Sequence, residues 1–178
     1  GLAGLLFKLG LHGGARRGAV DKSFEWQLMK GNDMKQESAL APDSVYLRLG
    51  GEQAMHTLVD RFYALMDELP EAWSVRCLHP ESLAGSADSL FKFLSGWFGG
   101  PPLYINERGH PRLRMRHAPY AIGIAQRDEW MLCMRQALAE QVRDPVLHAT
   151  VLRALGDMAD HMVNIDGRSA CAAAPAIY

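Results

Sequence analysis

The densest group of chemically active side chains lies in residues 109–123, whose sequence is GHPRLRMRHAPYAIG. This stretch holds two histidines, three arginines and two prolines, although the formal net charge of the whole chain is only −1. Its second histidine, His117, can serve as a zinc ligand, a catalytic base, a haem ligand or an ordinary hydrogen-bonding residue. The arginines present planar forks that match either phosphate or the two carboxylates of a porphyrin.

Zinc binding and nucleophilic catalysis are poorly supported by the residues around His117. The nearest histidine, His110, is seven residues away, and no Cys, Asp or Glu lies at the spacing of a tetrahedral zinc site. The neighbouring arginines would also repel a dication. No Ser or Cys lies on a recognisable nucleophile elbow. Haem binding, phosphate binding and a plain structural histidine therefore stay open at this point.

Haem binding requires one neutral imidazole, an apolar slot for the ring, cations for its carboxylates and a shaped pocket for the ligand. The chain offers His117, the arginines beside it, several apolar helical faces, and the polar aromatic residues Tyr63 and Trp130. These features favour haem. A helical interaction module without a cofactor is the alternative.

The composition excludes several broad classes of function. A chain of 178 residues predicts one main domain. The net charge of −1 provides no field for nucleic acid, and no apolar run approaches the ~20 residues that span a bilayer. The cysteines Cys77, Cys133 and Cys171 show no metal-binding spacing, so they predict reduced thiols in a cytoplasmic protein.

Helical periodicity predicts the elements that position these residues. Apolar residues recur at helical spacing in four substantial stretches, which begin near Met55, Ser86, Trp130 and Asp144. Pro70 is expected to end the first of them, and Asp144 followed by Pro145 is expected to cap the last. No long stretch alternates as a strand does, so the chain is predicted to be all-α.

Shorter and less regular segments surround these helices. Asp43 is expected to cap a short helix that Gly50-Gly51 stops. Residues 99 to about 119 are predicted to be irregular, and a long segment of this kind inside a compact domain usually has a functional reason. Residues 1–42 are predicted to be a mobile or partly helical extension, with a targeting segment as the alternative. The helical domain is expected over residues 43–165, followed by a tail over 166–178.

The motifs along the helical region resemble those of the group II truncated haemoglobins, over roughly Ser44 to Asn164. They are YLRLGGEQAMHTLVDRFYALM, LHPESLAGS, FLSGWFGGPPLYINERGHPRLRMRHAPYAIG and RDEWMLCM. The resemblance implies a truncated globin fold, in which a two-over-two helical sandwich encloses haem b, iron protoporphyrin IX.

The resemblance also implies roles for individual residues. His117 matches the proximal iron ligand, and Tyr63 and Trp130 match residues that hydrogen-bond a ligand on the distal side. His79 stands where many globins have Phe, and it is expected to donate a hydrogen bond to the ligand or to the Tyr63 hydroxyl. The further expected haem contacts are Ser86, Leu90, Phe93, Trp97, Tyr104, Arg112 and Arg116, of which the last three are expected at the propionates.

Several hydrogen-bond donors around one ligand predict slow release of O₂. The predicted function is therefore redox chemistry on oxygen, NO or peroxide, as an NO dioxygenase or a peroxidase-like enzyme that depends on an external reductase. Reversible oxygen binding, for storage or transport, is the alternative. CO is a further expected ligand, and a second copy of the chain is a candidate partner.

Overall fold

The computed structural model describes Ala41 and residues 43–167. The helices are α1 (Val45–Leu49), α2 (Gly51–Glu68), α3 (Trp73–Arg76), α4 (Ala84–Trp97), α5 (Leu103–Arg108), α6 (Leu113–His117), α7 (Ile124–Gln141) and α8 (Pro145–Met162), with a 3-10 turn at Pro70–Ala72. No strand occurs in these residues, which confirms the all-α prediction. None of these helices is long and apolar enough to cross a membrane.

The predicted terminal segments, residues 1–42 and 166–178, lie almost wholly outside the described residues. The division of the chain at residues 43 and 165 therefore stays a prediction.

Two pairs of helices form the body of the domain. Helix α2 packs on α4, α7 packs on α8, and the two pairs meet where α2 contacts α7. The largest fully buried side chains come from these four helices and include Met55, Leu58, Phe62, Leu94, Met134, Leu138 and Leu155. Helical spacing in the sequence places these residues on the inner faces, because positions three and four apart lie on one side of a helix. The predicted two-over-two arrangement is confirmed.

The ends of the long helices follow the capping signals in the sequence. The Asp144 side chain accepts hydrogen bonds from the backbone N–H groups of Val146 at 2.9 Å and Leu147 at 3.2 Å, and Pro145 is the first helical residue. Helix α2 ends at Glu68, just before Pro70, as predicted.

The short helix α1 differs in detail from its prediction. Its N-cap is Ser44, whose Oγ accepts from the Leu47 N–H, and not Asp43. Gly50 ends the helix at a φ of 113°, a left-handed conformation that favours glycine. Gly51 already belongs to α2, so the glycine pair combines one helix end and one helix start.

The segment over residues 99–123 includes residues 99 to about 119, which were predicted to be irregular, and it is more ordered than predicted, since it contains helices α5 and α6. Helices of five or six residues are marginal by themselves and show too little periodicity to be recognised from the sequence. They persist because α5 packs on α4 and α6 packs on α8. The segment begins tightly against α1, because a Cβ on Gly100 would lie 2.5 Å from the Tyr46 ring.

The cysteines follow the sequence prediction only in part. Cys133 is a buried free thiol, and burial raises its pKa to about 11. Cys77 is disulfide-bonded, so the prediction of a reduced thiol is wrong for this residue. The spacing of cysteines along the chain does not reveal which thiols meet after folding.

Candidate functional site

A cavity of about 600 Å³ opens between the helices. This volume lies in the usual range of small-molecule sites, about 300–1,000 Å³. Nine residues singled out from the sequence line it, and they are Tyr63, His79, Ser86, Leu90, Phe93, Tyr104, Arg116, His117 and Trp130. Residues that are far apart in the chain thus converge on one space.

Two expected haem contacts do not line this cavity. Trp97 packs instead on the rings of Phe93, at a centroid distance of 6.0 Å, and Phe98, at 5.0 Å. Arg112 is exposed and precedes α6 with a φ of 43°. Residues four apart share a face only on a continuous helix, so this left-handed residue is not aligned with Arg116 one turn later.

His117 lines the cavity and uses one ring nitrogen in a hydrogen bond to the backbone. Its Nδ1 lies 2.8 Å from the carbonyl oxygen of Leu113. A carbonyl oxygen can only accept, so Nδ1 carries the hydrogen and Nε2 keeps its lone pair. This arrangement is typical of metal-ligating histidines, because the second hydrogen bond fixes the tautomer and orients the ring.

Asn164 holds the turn that follows His117. Its Nδ2 donates to the carbonyl oxygens of His117 at 3.2 Å and Tyr120 at 2.8 Å, and its Oδ1 accepts from the Ile122 N–H at 3.0 Å. The residue follows α8 and lies 47 positions after His117. Local sequence patterns contain no signal for this contact, and sequence reasoning missed it.

The side chains of Phe62, Tyr63, His79 and Trp130 form a continuous group that we call the Tyr63 wall. Phe62 lies within it, with ring centroids 4.8 Å from Tyr63 and 5.1 Å from Trp130. The rings of Tyr63 and His79 meet edge to face at 5.8 Å. Their aromatic packing fixes where the polar atoms of Tyr63 and Trp130 can point.

Burial controls the charge of two residues in the Tyr63 wall. It raises the pKa of Tyr63 well above its usual value, and a side-chain hydrogen bond with Ser86 partly opposes this. The phenol therefore stays protonated at neutral pH. Burial also lowers the pKa of His79, whose Nδ1 lies 2.9 Å from the Val75 carbonyl oxygen, so the neutral ring is favoured.

Cationic side chains border the cavity beside a buried tyrosine. The guanidinium groups of Arg108 and Arg116 lie over the Tyr104 ring, 5.7 and 5.8 Å from its centroid. Arg108, which sequence reasoning missed, forms ion pairs with Asp88 and Glu107, each at 3.0 Å. No described carboxylate pairs with Arg116. Its charge is therefore available to an anionic group in the cavity.

The remaining lining residues were not recognised from the sequence. Arg127 lines the cavity and pairs with Asp128 and Asp160. The other additions include Val75, Leu78, Leu113, Gln126, Met158 and Met162. Most of them are apolar, as the walls of a slot for a flat macrocycle must be.

These residues fit the chemical requirements of haem. The cavity combines an imidazole whose Nδ1 is held by the backbone, an apolar lining, an arginine that no described carboxylate pairs with, and two hydrogen-bond donors, the buried Tyr63 and the partly buried Trp130.

Comparison with known proteins gives a consistent result. The family model of the bacterial-like globins matches residues 44–164. The group 2 truncated hemoglobin YjbI of Bacillus subtilis is 35% identical over 114 residues, which cover 64% of this chain and 84% of that protein.

Solved structures show the same likeness. The group II 2-on-2 hemoglobin of Agrobacterium tumefaciens has 40% identity and a TM-score of 0.67, and the match covers 74% of this chain and 98% of that chain. A truncated oxygen-avid haemoglobin of Bacillus subtilis has 34% identity and a TM-score of 0.63, with 68% and 100% covered.

Proposed function

This chain belongs to the group II truncated haemoglobins, and on that premise we propose that it binds haem b through Nε2 of His117 and performs redox chemistry with oxygen. Membership of a globin family implies haem and small diatomic ligands. The ligating residue, the haem type and the reaction are the proposed parts.

One observation carries the proposal. His117, Tyr63 and Trp130 line a single cavity of about 600 Å³, and the backbone hydrogen bond of His117 takes Nδ1 and leaves Nε2 for the iron. An iron porphyrin with one imidazole ligand supplies an open coordination position for O₂, NO or CO. The residues that line the cavity would select the ligand and hold it there by hydrogen bonds.

Tyr63 and Trp130 are the proposed ligand-stabilising residues. The indole N–H can only donate, and the phenol keeps its proton because burial raises the pKa of Tyr63. A hydrogen bond to a ligand that gains negative charge is worth about 1 kcal/mol or more, which is roughly tenfold in affinity for each donor. Arg116 and the hydroxyl of Tyr104 are proposed as partners of the haem carboxylates.

Slow release of oxygen favours a reaction over delivery. The Bacillus subtilis relative is described as oxygen-avid, and the polar groups of the Tyr63 wall support the same property here. In the proposed reaction NO, O₂ and one electron give nitrate. The electron comes from an external reductase, and peroxide is the alternative substrate.

The ligand assignment can be tested by His117→Ala in the protein purified with haem. The variant should lose haem or its five-coordinate ferrous spectrum, because the other described histidine that lines the cavity, His79, belongs to the Tyr63 wall and not to α6. His161→Ala is the matched control, since the His161 Nδ1 makes the same type of contact, 2.7 Å from the Asp157 carbonyl, but does not line the cavity. An unchanged spectrum for His117→Ala would exclude the assignment.

The reaction can be tested separately on the haem-loaded protein. Stopped-flow measurement of O₂ release and of NO consumption with a chemical reductant should show slow release and catalytic formation of nitrate. Fast release without NO turnover would instead indicate reversible oxygen binding.

A further inference from the structure

We propose that Gln126, Ser74 and Glu129 are positioning residues that fix His79 as a hydrogen-bond acceptor towards the cavity. These residues do not contact the proposed iron ligand. The functional consequence rests on the proposed haem function, whereas the state of the His79 ring does not.

A directional chain of hydrogen bonds links α7 to α3. The Gly123 N–H donates to Gln126 Oε1 at 2.9 Å, Gln126 Nε2 donates to Ser74 Oγ at 3.0 Å, and the Ser74 hydroxyl donates to Glu129 Oε1 at 2.5 Å. A backbone N–H can only donate and a carboxylate can only accept, so both ends impose the same direction on the groups between them.

Burial makes this chain costly to break. Gln126 is 1% exposed and Ser74 is 5% exposed. A buried donor or acceptor that loses its partner keeps its full desolvation penalty, so losing one bond of this chain is unfavourable. The oxygen and the nitrogen of the Gln126 side-chain amide and the hydroxyl of Ser74 all have partners, so the network specifies one arrangement of α7 against α3.

Glu129 transfers this arrangement to the turn that carries His79. Its second oxygen, Oε2, accepts from the Val75 N–H at 2.7 Å. Helix α3 has only four residues and is not stable by itself, so this carboxylate is a main anchor of its backbone. The Val75 carbonyl oxygen then accepts from His79 Nδ1 at 2.9 Å.

The position of Val75 decides which nitrogen of His79 carries the hydrogen. A carbonyl oxygen only accepts, so Nδ1 is the protonated nitrogen of the neutral ring and Nε2 is an acceptor. The sequence analysis expected His79 to donate to the ligand or to Tyr63, and the hydrogen bond to Val75 points to the opposite role. The His79 ring meets the Tyr63 ring edge to face at 5.8 Å, so in this proposal its acceptor Nε2 competes with the ligand for the proton of the Tyr63 hydroxyl, which also has a hydrogen bond with Ser86, while Trp130 donates to the ligand alone.

Ring ¹⁵N–¹H spectra of the histidines test the tautomer directly in the purified protein at pH 7.5, in the ferrous CO form where haem is bound and in the protein as purified where it is not. The His79 signals are identified by their loss in His79→Phe. We expect hydrogen on Nδ1 in the unsubstituted protein, and a mixture of tautomers in Glu129→Gln, because the amide NH₂ replaces one of the two oxygens that accept from Ser74 and Val75, and an NH₂ group can only donate.

Glu140→Gln is the matched control, since it makes the same change on the same helix but affects exposed contacts with Arg61 and Gln136 that lie outside the hydrogen-bond chain. Ser74→Ala is the second variant, and it removes a single hydroxyl in case Glu129→Gln does not fold. Hydrogen on Nε2 of His79 in the unsubstituted protein would overturn the proposal, and so would an unchanged tautomer in both variants.

The functional consequence is read from O₂ dissociation. Tyr63→Phe should change the rate by less than about twofold when His79 is present, and by roughly fivefold or more in a His79→Phe background, where the phenol is free to donate to the ligand. Equal effects in both backgrounds would contradict the acceptor role. A protein that binds no haem but shows Nδ1–H on His79 would refute the proposed function and leave this inference standing.

Discussion

The Tyr63 wall and the segment over residues 99–123 face the same cavity but are held in different ways. The wall rests on long helices whose side chains form the core, and Phe62 at its centre is 0% exposed. The segment has two short helices, and α6, which ends at His117, contains no buried residue. Close packing positions the donors of the wall, whereas hydrogen bonds and a few contacts position His117.

We therefore expect the stability of the fold and the retention of the cofactor to depend on different residues. A substitution within the wall removes packing that the whole fold uses. A substitution at a tether of the segment mainly changes the position of one histidine. Four measurements separate the two cases, in order of decreasing effect.

Truncation within the wall should have the largest effect on folding. Phe62→Ala should lower the free energy of unfolding by about 3–5 kcal/mol, because a large buried ring leaves a cavity between Tyr63 and Trp130. The matched change in the segment, Leu113→Ala, should cost only about 1 kcal/mol, since Leu113 is half-buried. Urea denaturation measures both values, and equal values would remove the proposed difference between the regions.

Loss of the Asn164 tether should affect haem retention more than folding. Asn164→Ala removes three hydrogen bonds around the turn after His117 and should accelerate haem transfer to an apoglobin acceptor by roughly tenfold. The control is Asn106→Ala, an exposed asparagine on α5 in the same segment. Identical rates of haem loss in the two variants would show that Asn164 does not position His117.

Removal of one donor should leave the fold intact and change ligand release. Trp130→Phe keeps an aromatic ring against Phe62 but loses the indole N–H, so O₂ dissociation should accelerate by roughly tenfold. Trp97→Phe is the control, because Trp97 does not line the cavity. A neutral Trp130→Phe variant would mean that packing alone determines ligand retention.

The smallest expected effect is a pH dependence of stability that depends on His79. Burial lowers the pKa of His79 from its ordinary 6.5, so the unfolded chain takes up this proton at a higher pH than the folded protein does. The stability that the neutral ring contributes is complete above about pH 6.5 and is lost as the pH falls towards the lowered folded pKa.

Unfolding free energies measured between pH 7.5 and 5 should therefore decrease more steeply for the unsubstituted protein than for His79→Phe. The nearby charges of Arg76 and His117 act in the same direction as burial and are present in both proteins. Parallel profiles would show that His79 is not the group responsible.

Much of the fold could be predicted because its signals are local. The periodic apolar residues of α2, α4, α7 and α8, and the cap at Asp144, each lie within one stretch of chain. The short helices α3, α5 and α6 escaped prediction, because four to six residues carry almost no periodicity and need neighbours to form. The N-cap of α1 is Ser44 and not the predicted Asp43, so the start of this short helix was also misplaced by one residue.

Most residues of the candidate site were also accessible from the sequence, through the motif around His117 and its resemblance to a known family. The positions of the arginine side chains could not be predicted, because side-chain direction in a non-helical segment cannot be derived from spacing. Arg116 lies at the cavity, Arg112 does not, and Arg108 joins from α5.

By itself, the sequence determined the helical architecture, the family and the residue types that meet in the cavity. The tertiary structure alone decided which atoms of those residues are available. The backbone holds Nδ1 of His117 and Nδ1 of His79, and no carboxylate in the described part of the chain pairs with Arg116. The decisive contacts of Asn164 with His117 and of Gln126 with Ser74 join residues 47 and 52 positions apart. Local patterns cannot encode such pairs, because their geometry exists only once the packed helices have brought the two segments together.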